Sequence, residues 1–309
     1  MTDLLNTLGP IFGLLILGFA SGRTSWMTPA SVRGLVLFAF TFSIPALLIQ
    51  SMAELVVPDQ FDAGFLLSFY GGSAIVYGGG LAVARYGYGR PLADQAIFGL
   101  CASFSNLVLM GIPVVLAVQG QSAMLPMMLI IGFHSATFMP LTVVLIQADR
   151  SADGASSPAL TKVVSEVARN PIIVGILVGL ALNVGSVPLP GVVDETLAML
   201  GATAVPCALF ALGASLAGMP LGGDAVAALG LAGLKLVVHP LAVWVLAVPV
   251  LGLEGQNATV AVLLAAMPTG VNVYLFGARY DAAAEIAART VLLTTSGSAV
   301  TLSLVLAWL

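Results

Sequence analysis

Apolar runs of roughly 20 residues recur along the whole length of the chain, each long enough to cross a ~30 Å hydrocarbon core. Ten such runs can be marked, at about 4–22, 34–52, 63–84, 92–119, 123–148, 171–187, 196–218, 225–251, 256–278 and 288–308. Eight are plain. The fourth and ninth are interrupted. One carries Ser103-Phe104-Ser105-Asn106 followed by Gly111-Ile112-Pro113, and the other carries Pro268-Thr269-Gly270-Val271-Asn272. Helix breakers and amides at mid-membrane depth are costly unless the broken backbone lines a cavity or is buried in protein. A pair of interrupted runs at matching places in two halves of a chain is the sequence pointer to a secondary transporter's binding site. Gly and Pro also occur as simple kinks in transmembrane helices. The symmetric placement favours the binding-site reading.

Composition agrees with the pattern. The chain is 59% hydrophobic and 8% charged, with a mean hydropathy of +1.08, whereas a soluble domain is about 25% charged. One membrane domain is expected, with little left for a soluble one. The net charge of −4 and the absence of a basic, aromatic-rich stretch argue against a nucleic-acid partner. Cys101 and Cys207 both fall inside apolar runs and read as small buried hydrophobes. No metal-ligand spacing is present, no cofactor is expected, and there is no GxxxxGK[ST] loop for an ATP-driven motor.

Nine of the ten basic residues fall in alternate loops: Arg23 and Arg33, Arg85 and Arg90, Arg150, Lys162 and Arg169, and Arg279 with Arg289. The remaining loops hold only acidic charges, Glu54, Asp59, Asp62, Asp194, Glu195 and Glu254. By the positive-inside rule the basic side is the cytoplasm. Both termini are then outside, and the first run, preceded by Asp3 and followed by Arg23, is a retained helix and not a cleaved signal. The loop after the seventh run departs from the rule, holding only Asp224.

Five runs per half is an odd number, so the halves must insert with opposite orientation. Their sequences match at one offset, 161, which brings Pro10 onto Pro171, Gly18 onto Gly179, Pro45 onto Pro206 and Gly72 onto Gly233. The expected fold is an all-α integral membrane protein of ten transmembrane helices in an inverted 5+5 repeat. Residues 1–148 form the first repeat, 149–170 a cytoplasmic linker and 171–309 the second, with broken helices 4 and 9 crossing. Pro113 and Pro268 disfavour a continuous helix, and Gly111 and Gly270 permit backbone turns. Half-helix N-termini suit an anionic group, with Asn106, Asn272, Ser103, Ser105 and Thr269 adding neutral donors and acceptors.

Three titratable side chains sit well inside the runs: His134, Lys235 and His239. Such residues are functional candidates by default. Lys235 lies about 16 Å beyond Asp224 along a helix of ~1.5 Å rise, near the bilayer centre. Its expected partners are backbone carbonyls, a broken-helix C-terminus or a substrate anion. His239 shares its face one turn on and precedes Pro240. Each histidine has a structural reading, a hydrogen-bonded packing residue, and a functional one, a proton carrier. No carboxylate lies clearly at mid-membrane depth, so a sodium site would need carbonyls, amides and hydroxyls.

These features resemble the auxin efflux carrier family, whose bacterial members include malonate and malate permeases. The echoes are Phe42-Ser43-Ile44-Pro45-Ala46-Leu47, Ser105-Asn106 through Gly111-Ile112-Pro113, Arg169-Asn170-Pro171, Leu234-Lys235-Leu236 with Pro240, and Pro268-Thr269-Gly270 with Asn272. The resemblance covers essentially the whole chain. It implies a fold similar to bile acid:sodium symporters, a scaffold domain that moves against a core bearing the crossed helices, and an organic anion bound beside the crossing, with Asn106, Pro113, Pro268 and Asn272 at the matching positions. The long hydrophilic central loop of many plant members is missing here.

The resulting expectation is a secondary transporter of small organic acid anions working by alternating access. A dicarboxylate such as malonate or malate, or an auxin-like monocarboxylate, would be carried across a bacterial inner membrane, with proton or sodium coupling undetermined and a homodimer left open. The alternatives are a sodium-coupled symporter of larger amphipathic anions and a channel, which would need a continuous pore with rings of selective groups. An enzyme is not expected, since no acid–base cluster or metal motif faces the membrane interior.

Overall fold

The computed structural model of the protein describes residues 2–54, 63–151 and 169–308. The loop residues Asp59, Asp62 and Lys162 used above, and most of the expected 149–170 linker, lie outside them. The described residues are helical, with no strand among them and an isolated bridge between Ser105 and Thr269. Twelve helices follow in order: α1 Thr2–Gly22, α2 Pro29–Ala53, α3 Gly64–Gly87, α4 Leu92–Ser103, α5 Leu107–Gln119 and α6 Met124–Ser151. Then come α7 Pro171–Val184, α8 Gly191–Ala217, α9 Ala225–Val250, α10 Gly255–Ala266, α11 Val271–Arg279 and α12 Ala284–Trp308. By length and apolarity α2, α3, α8, α9, α12 and the stretch Gln121–Arg150 can each cross a membrane. Each interrupted run resolves into two short helices, α4 with α5 and α10 with α11.

Proline placement explains irregular turns in three of these helices. Ala39–Ser43, Leu107–Gly111 and Leu234–Val238 are wound as single π turns, and each is followed two residues later by Pro45, Pro113 or Pro240. A proline in an α-helix lacks the N–H for its i−4 bond and its ring collides with that carbonyl. In all three cases the i−4 residue lies within the π turn, where the wider winding accommodates the ring. This corrects the expectation that Pro113 breaks the helix. The break lies upstream, at Phe104–Asn106, and Pro113 is buried in the first turn of the α-helical part of α5.

The chain folds into two compact units, each drawing on both halves of the sequence. In the first, α1 packs on α8 and α2 on α7. These contacts are backbone to backbone. A Cβ on Gly18 would lie 2.1 Å from the Phe210 carbonyl oxygen, one on Gly213 2.0 Å from that of Leu15, and one on Gly179 2.6 Å from that of Ile49. Small residues at helix interfaces permit this approach in lipid, where packing replaces the hydrophobic drive. Polar contacts tie the same helices: Ser43 and Thr203 share a hydroxyl bond of 2.7 Å, Gln50 Nε2 donates to Asp194 Oδ1 at 2.8 Å, and Asn183 Nδ2 donates to the Ala53 carbonyl at 2.8 Å.

The second unit holds α3, α4, most of α6, and α9 to α12. Its core stacks Tyr77, Phe98, Phe104 and Phe138 among small residues of α4 and α9. One end is knotted by charge. The Asp149 carboxylate accepts the Leu92 and Ala93 N–H groups, both at 3.2 Å, and so caps α4. Arg150 donates to the Tyr280 carbonyl, and Arg90 pairs with Asp94 at 3.6 Å. Three turns that carry basic residues in the sequence therefore meet at one end of this unit.

Candidate crossing site

The interruption after α4 begins at Phe104, whose backbone turns extended (φ −78°, ψ 102°). The one after α10 begins at Met267 (φ −60°, ψ 146°). Leaving a helix strands amides and carbonyls that lipid cannot satisfy. Here the two breaks satisfy each other. Asn106 N–H donates to the Pro268 carbonyl at 2.8 Å and Gly270 N–H to the Phe104 carbonyl at 2.9 Å, so Ser105 faces Thr269 in an antiparallel bridge. Exchanging the two segments exchanges the two bonds, a local two-fold relation. Side chains take the remaining amides: Ser105 N–H donates to His134 Nε2 at 3.1 Å, and Thr269 N–H to Thr294 Oγ1 at 3.1 Å. Thr269 Oγ1 donates to the Cys101 carbonyl in the last turn of α4 at 2.7 Å.

Lys235 supplies the charge. It is fully buried, and its Nζ donates to Ser105 Oγ at 2.9 Å and to the Ala265 carbonyl at 2.7 Å, and contacts His239 Nδ1 at 2.9 Å. Three acceptors match the three donors of an ammonium group. The Ala265 carbonyl belongs to the last turn of α10 and Ser105 follows the last turn of α4, so the cation sits where two helix C-termini concentrate partial negative charge. With Nδ1 accepting, His239 bears its proton on Nε2 and donates it to Ser73 Oγ, at 2.8 Å. His239 thus orients Lys235, and the π turn Leu234–Val238 that carries Lys235 ends two residues before Pro240.

The other sequence-level candidates are not equivalent. Ser103 Oγ donates to the Gly99 carbonyl within its own helix, at 2.9 Å. Asn106 is buried, its carbonyl accepts the Gly111 N–H at 3.0 Å, and its Nδ2 has no partner. Asn272 is exposed in the first turn of α11, so the two asparagines occupy different environments. Gly270 has an ordinary extended backbone (φ −66°, ψ 138°), which corrects the expectation that it supplies an unusual turn. Its hydrogen makes room for a ring, since a Cβ there would lie 3.1 Å from Phe104 Cδ1. Gly111 faces Leu264, with a built Cβ at 3.2 Å. Pro113 lies in the first compact unit, whereas the bridge, Lys235 and both histidines lie in the second. Sequence reasoning missed Ser73 and Thr294. A cue for Thr294 was the buried hydroxyl row Thr290, Thr294, Thr295 and Ser298 on α12.

Comparison with known proteins identifies the family. Over residues 3–306 the chain matches the family model described as "Membrane transport protein". It is 26% identical over 307 residues to the "Putative malonate transporter" of Rhizobium meliloti (strain 1021), covering 98% of this chain and 95% of that protein. It is 23% identical over 287 residues to the "Uncharacterized transporter YfdV" of Escherichia coli (strain K12), covering 91% and 90% respectively. These relatives carry the names of transporters, not of enzymes. The chain belongs to the membrane transport protein family, the auxin efflux carrier-like family that its motifs resemble.

Proposed function

We propose that this protein is a secondary transporter of small organic acid anions, working by alternating access in a bacterial inner membrane, with a dicarboxylate such as malonate as substrate. The observation that carries the reading is the bridged crossing with Lys235 buried at its edge. Paired half-helices crossing within the membrane are a carrier's way of presenting helix ends to a solute. The donors there are suited to a carboxylate: Asn106 Nδ2, the first-turn amides of α11 with Asn272, and the fixed positive charge of Lys235. Ser103, Ser105, Thr269, Gly111, Gly270 and Pro268 shape and hold the crossing.

The inverted 5+5 repeat belongs to the same reading. At the offset of 161, Gly18 maps onto Gly179 and Ile49 onto Phe210, and it is Gly18 that meets Phe210 and Gly179 that meets Ile49. Mirrored contacts of this kind are what two structurally equivalent halves of opposite orientation produce.

Uptake of labelled malonate into proteoliposomes tests the function. The expected result is saturable uptake, accelerated by unlabelled malonate on the far side, and at least tenfold lower in Asn106→Ala and Asn272→Ala proteins that remain folded. Linear, non-saturating flux without trans-acceleration would instead indicate a channel. A strict sodium requirement at fixed proton gradient would favour the sodium-coupled alternative.

A further inference from the structure

An imidazole alone leaves its tautomer open. At His134 the backbone decides it. Ser105 N–H donates to Nε2, so Nε2 is the unprotonated nitrogen and Nδ1 carries the hydrogen. That Nδ1–H is buried and has no partner. Among the described residues, two other buried side-chain polar atoms are in the same condition, Asn106 Nδ2 and Thr295 Oγ1. Native proteins rarely leave such donors unpaired.

His134 cannot turn to find a partner. Its ring is stacked on Phe104 with centroids 4.3 Å apart and is flanked by Phe69 and Phe138, each at 5.6 Å. The Ser105 bond fixes the remaining freedom of the ring. Asn106 follows Ser105 directly, so two unpaired N–H donors flank a single backbone position. The charged and titratable groups closest to this position are Lys235, bonded to Ser105 Oγ, and His239 behind it. The buried side chains of the described residues include no Asp or Glu. Donors, a cation and no competing anion describe a site for a carboxylate.

We propose that His134 binds substrate: its Nδ1–H donates to a carboxylate oxygen of the transported anion beside Asn106 Nδ2, and the Ser105 amide holds the ring in the donor tautomer. This rests on the reading of the chain as a carrier of small carboxylates. It assigns His134 away from proton carriage, because protonation would make Nε2 a donor and break the bond to Ser105.

The test separates the two ring nitrogens. In His134→Gln the side-chain amide reaches the place of Nε2, keeping an acceptor for Ser105 and losing the donor at Nδ1. In His134→Asn the amide lies at the place of Nδ1, keeping the donor and losing the reach to Ser105. Malonate binding to the purified full-length protein is read from concentration-dependent thermal stabilisation, and backbone amide exchange of the 104–106 segment is followed by mass spectrometry. H134Q is expected to keep exchange protection and to bind malonate roughly 10- to 100-fold more weakly, the size of a lost hydrogen bond to a charged group. H134N is expected to lose protection and to bind malonate more tightly than H134Q. Wild-type affinity in H134Q, or weaker binding in H134N than in H134Q, overturns the assignment. If H134Q does not fold, H134N decides alone, and a loss of tenfold or more in it overturns the assignment. Wild-type protein stabilised by none of malonate, malate or succinate overturns the carrier reading as well, whereas a responsive wild type matched by H134Q overturns only the role of His134.

Discussion

Lys235 directs all of its N–H donors into the protein, toward partners 4, 30 and 130 positions away in sequence. Replacing it with Met would strand the Ala265 carbonyl, Ser105 Oγ and His239 Nδ1, at about 1–3 kcal/mol for each buried group left unpaired. Lys235→Met is therefore expected to lower the melting temperature in detergent and to cut malonate uptake at least tenfold. Lys235→Arg should not restore uptake, since a planar fork does not reproduce a point ammonium. Gly270 offers a second residue-scale test. Ala at this position presses on the Phe104 ring, an overpacking expected to cost about 1–3 kcal/mol, and Phe104→Leu in the same protein should recover part of the loss, giving a favourable coupling in a double-mutant cycle. That Lys235 and the two histidines would need hydrogen-bond partners was legible in the sequence, because a titratable group in an apolar run is costly when left unpaired. For Lys235 the kind of partner was legible too, a carbonyl at a broken-helix C-terminus, but not which residues supply its acceptors. Nothing local announces that Ser105 Oγ and the Ala265 carbonyl converge on one ammonium, and the role of Gly270 depends on a ring 166 residues away in the chain. The tautomer of His134 likewise depends on an amide of the break between α4 and α5.

Among the helices, the interrupted segments were recognisable from Pro, Gly and Asn in apolar surroundings, but their breakpoints were not. Pro268 lies within its break, whereas Pro113 lies past a π turn and a helix that has already restarted. Before Pro45, Pro113 and Pro240 the chain adopts a π turn and around Pro268 a full break, whereas Pro10 and Pro140 sit inside α-helices, so proline alone does not say which. The pairing of α1 with α8 was also hidden, since glycine counts alone do not say which glycines touch. The contact distances make a sharp contrast within α1. Gly18→Val places side-chain atoms where the Phe210 carbonyl stands and is expected to abolish folded protein on size-exclusion chromatography, as is Gly213→Val against Leu15. Gly13 meets nothing within 4 Å, and Gly13→Ala should be neutral or stabilising by up to about 1 kcal/mol through helix propensity. Equal behaviour of the Gly18 and Gly13 variants would contradict the backbone packing described for this pair.

For the whole molecule, the sequence halves and the compact units are different partitions of the same chain. The halves follow from charge alternation and the 161-residue offset, while the units mix segments of both. No one-dimensional pattern reveals that interleaving, because it depends on which helices pack after insertion. The orientation can be tested directly. Tyr86 and Glu254 are exposed and lie next to turns expected on opposite faces of the membrane. In a Cys207→Ser background, with Cys101 buried, a membrane-impermeant maleimide should label Glu254→Cys in right-side-out vesicles and Tyr86→Cys only in inverted ones. Equal labelling of both in either preparation would refute the assigned topology. The buried ammonium of Lys235 has one more consequence, an electrical one. A step that carries this residue along the membrane normal moves an elementary charge through the field, and every 100 mV then shifts that step by up to about 2.3 kcal/mol. Voltage jumps on reconstituted protein should therefore draw a transient displacement current before any anion is added, and neutralising Lys235 should silence it.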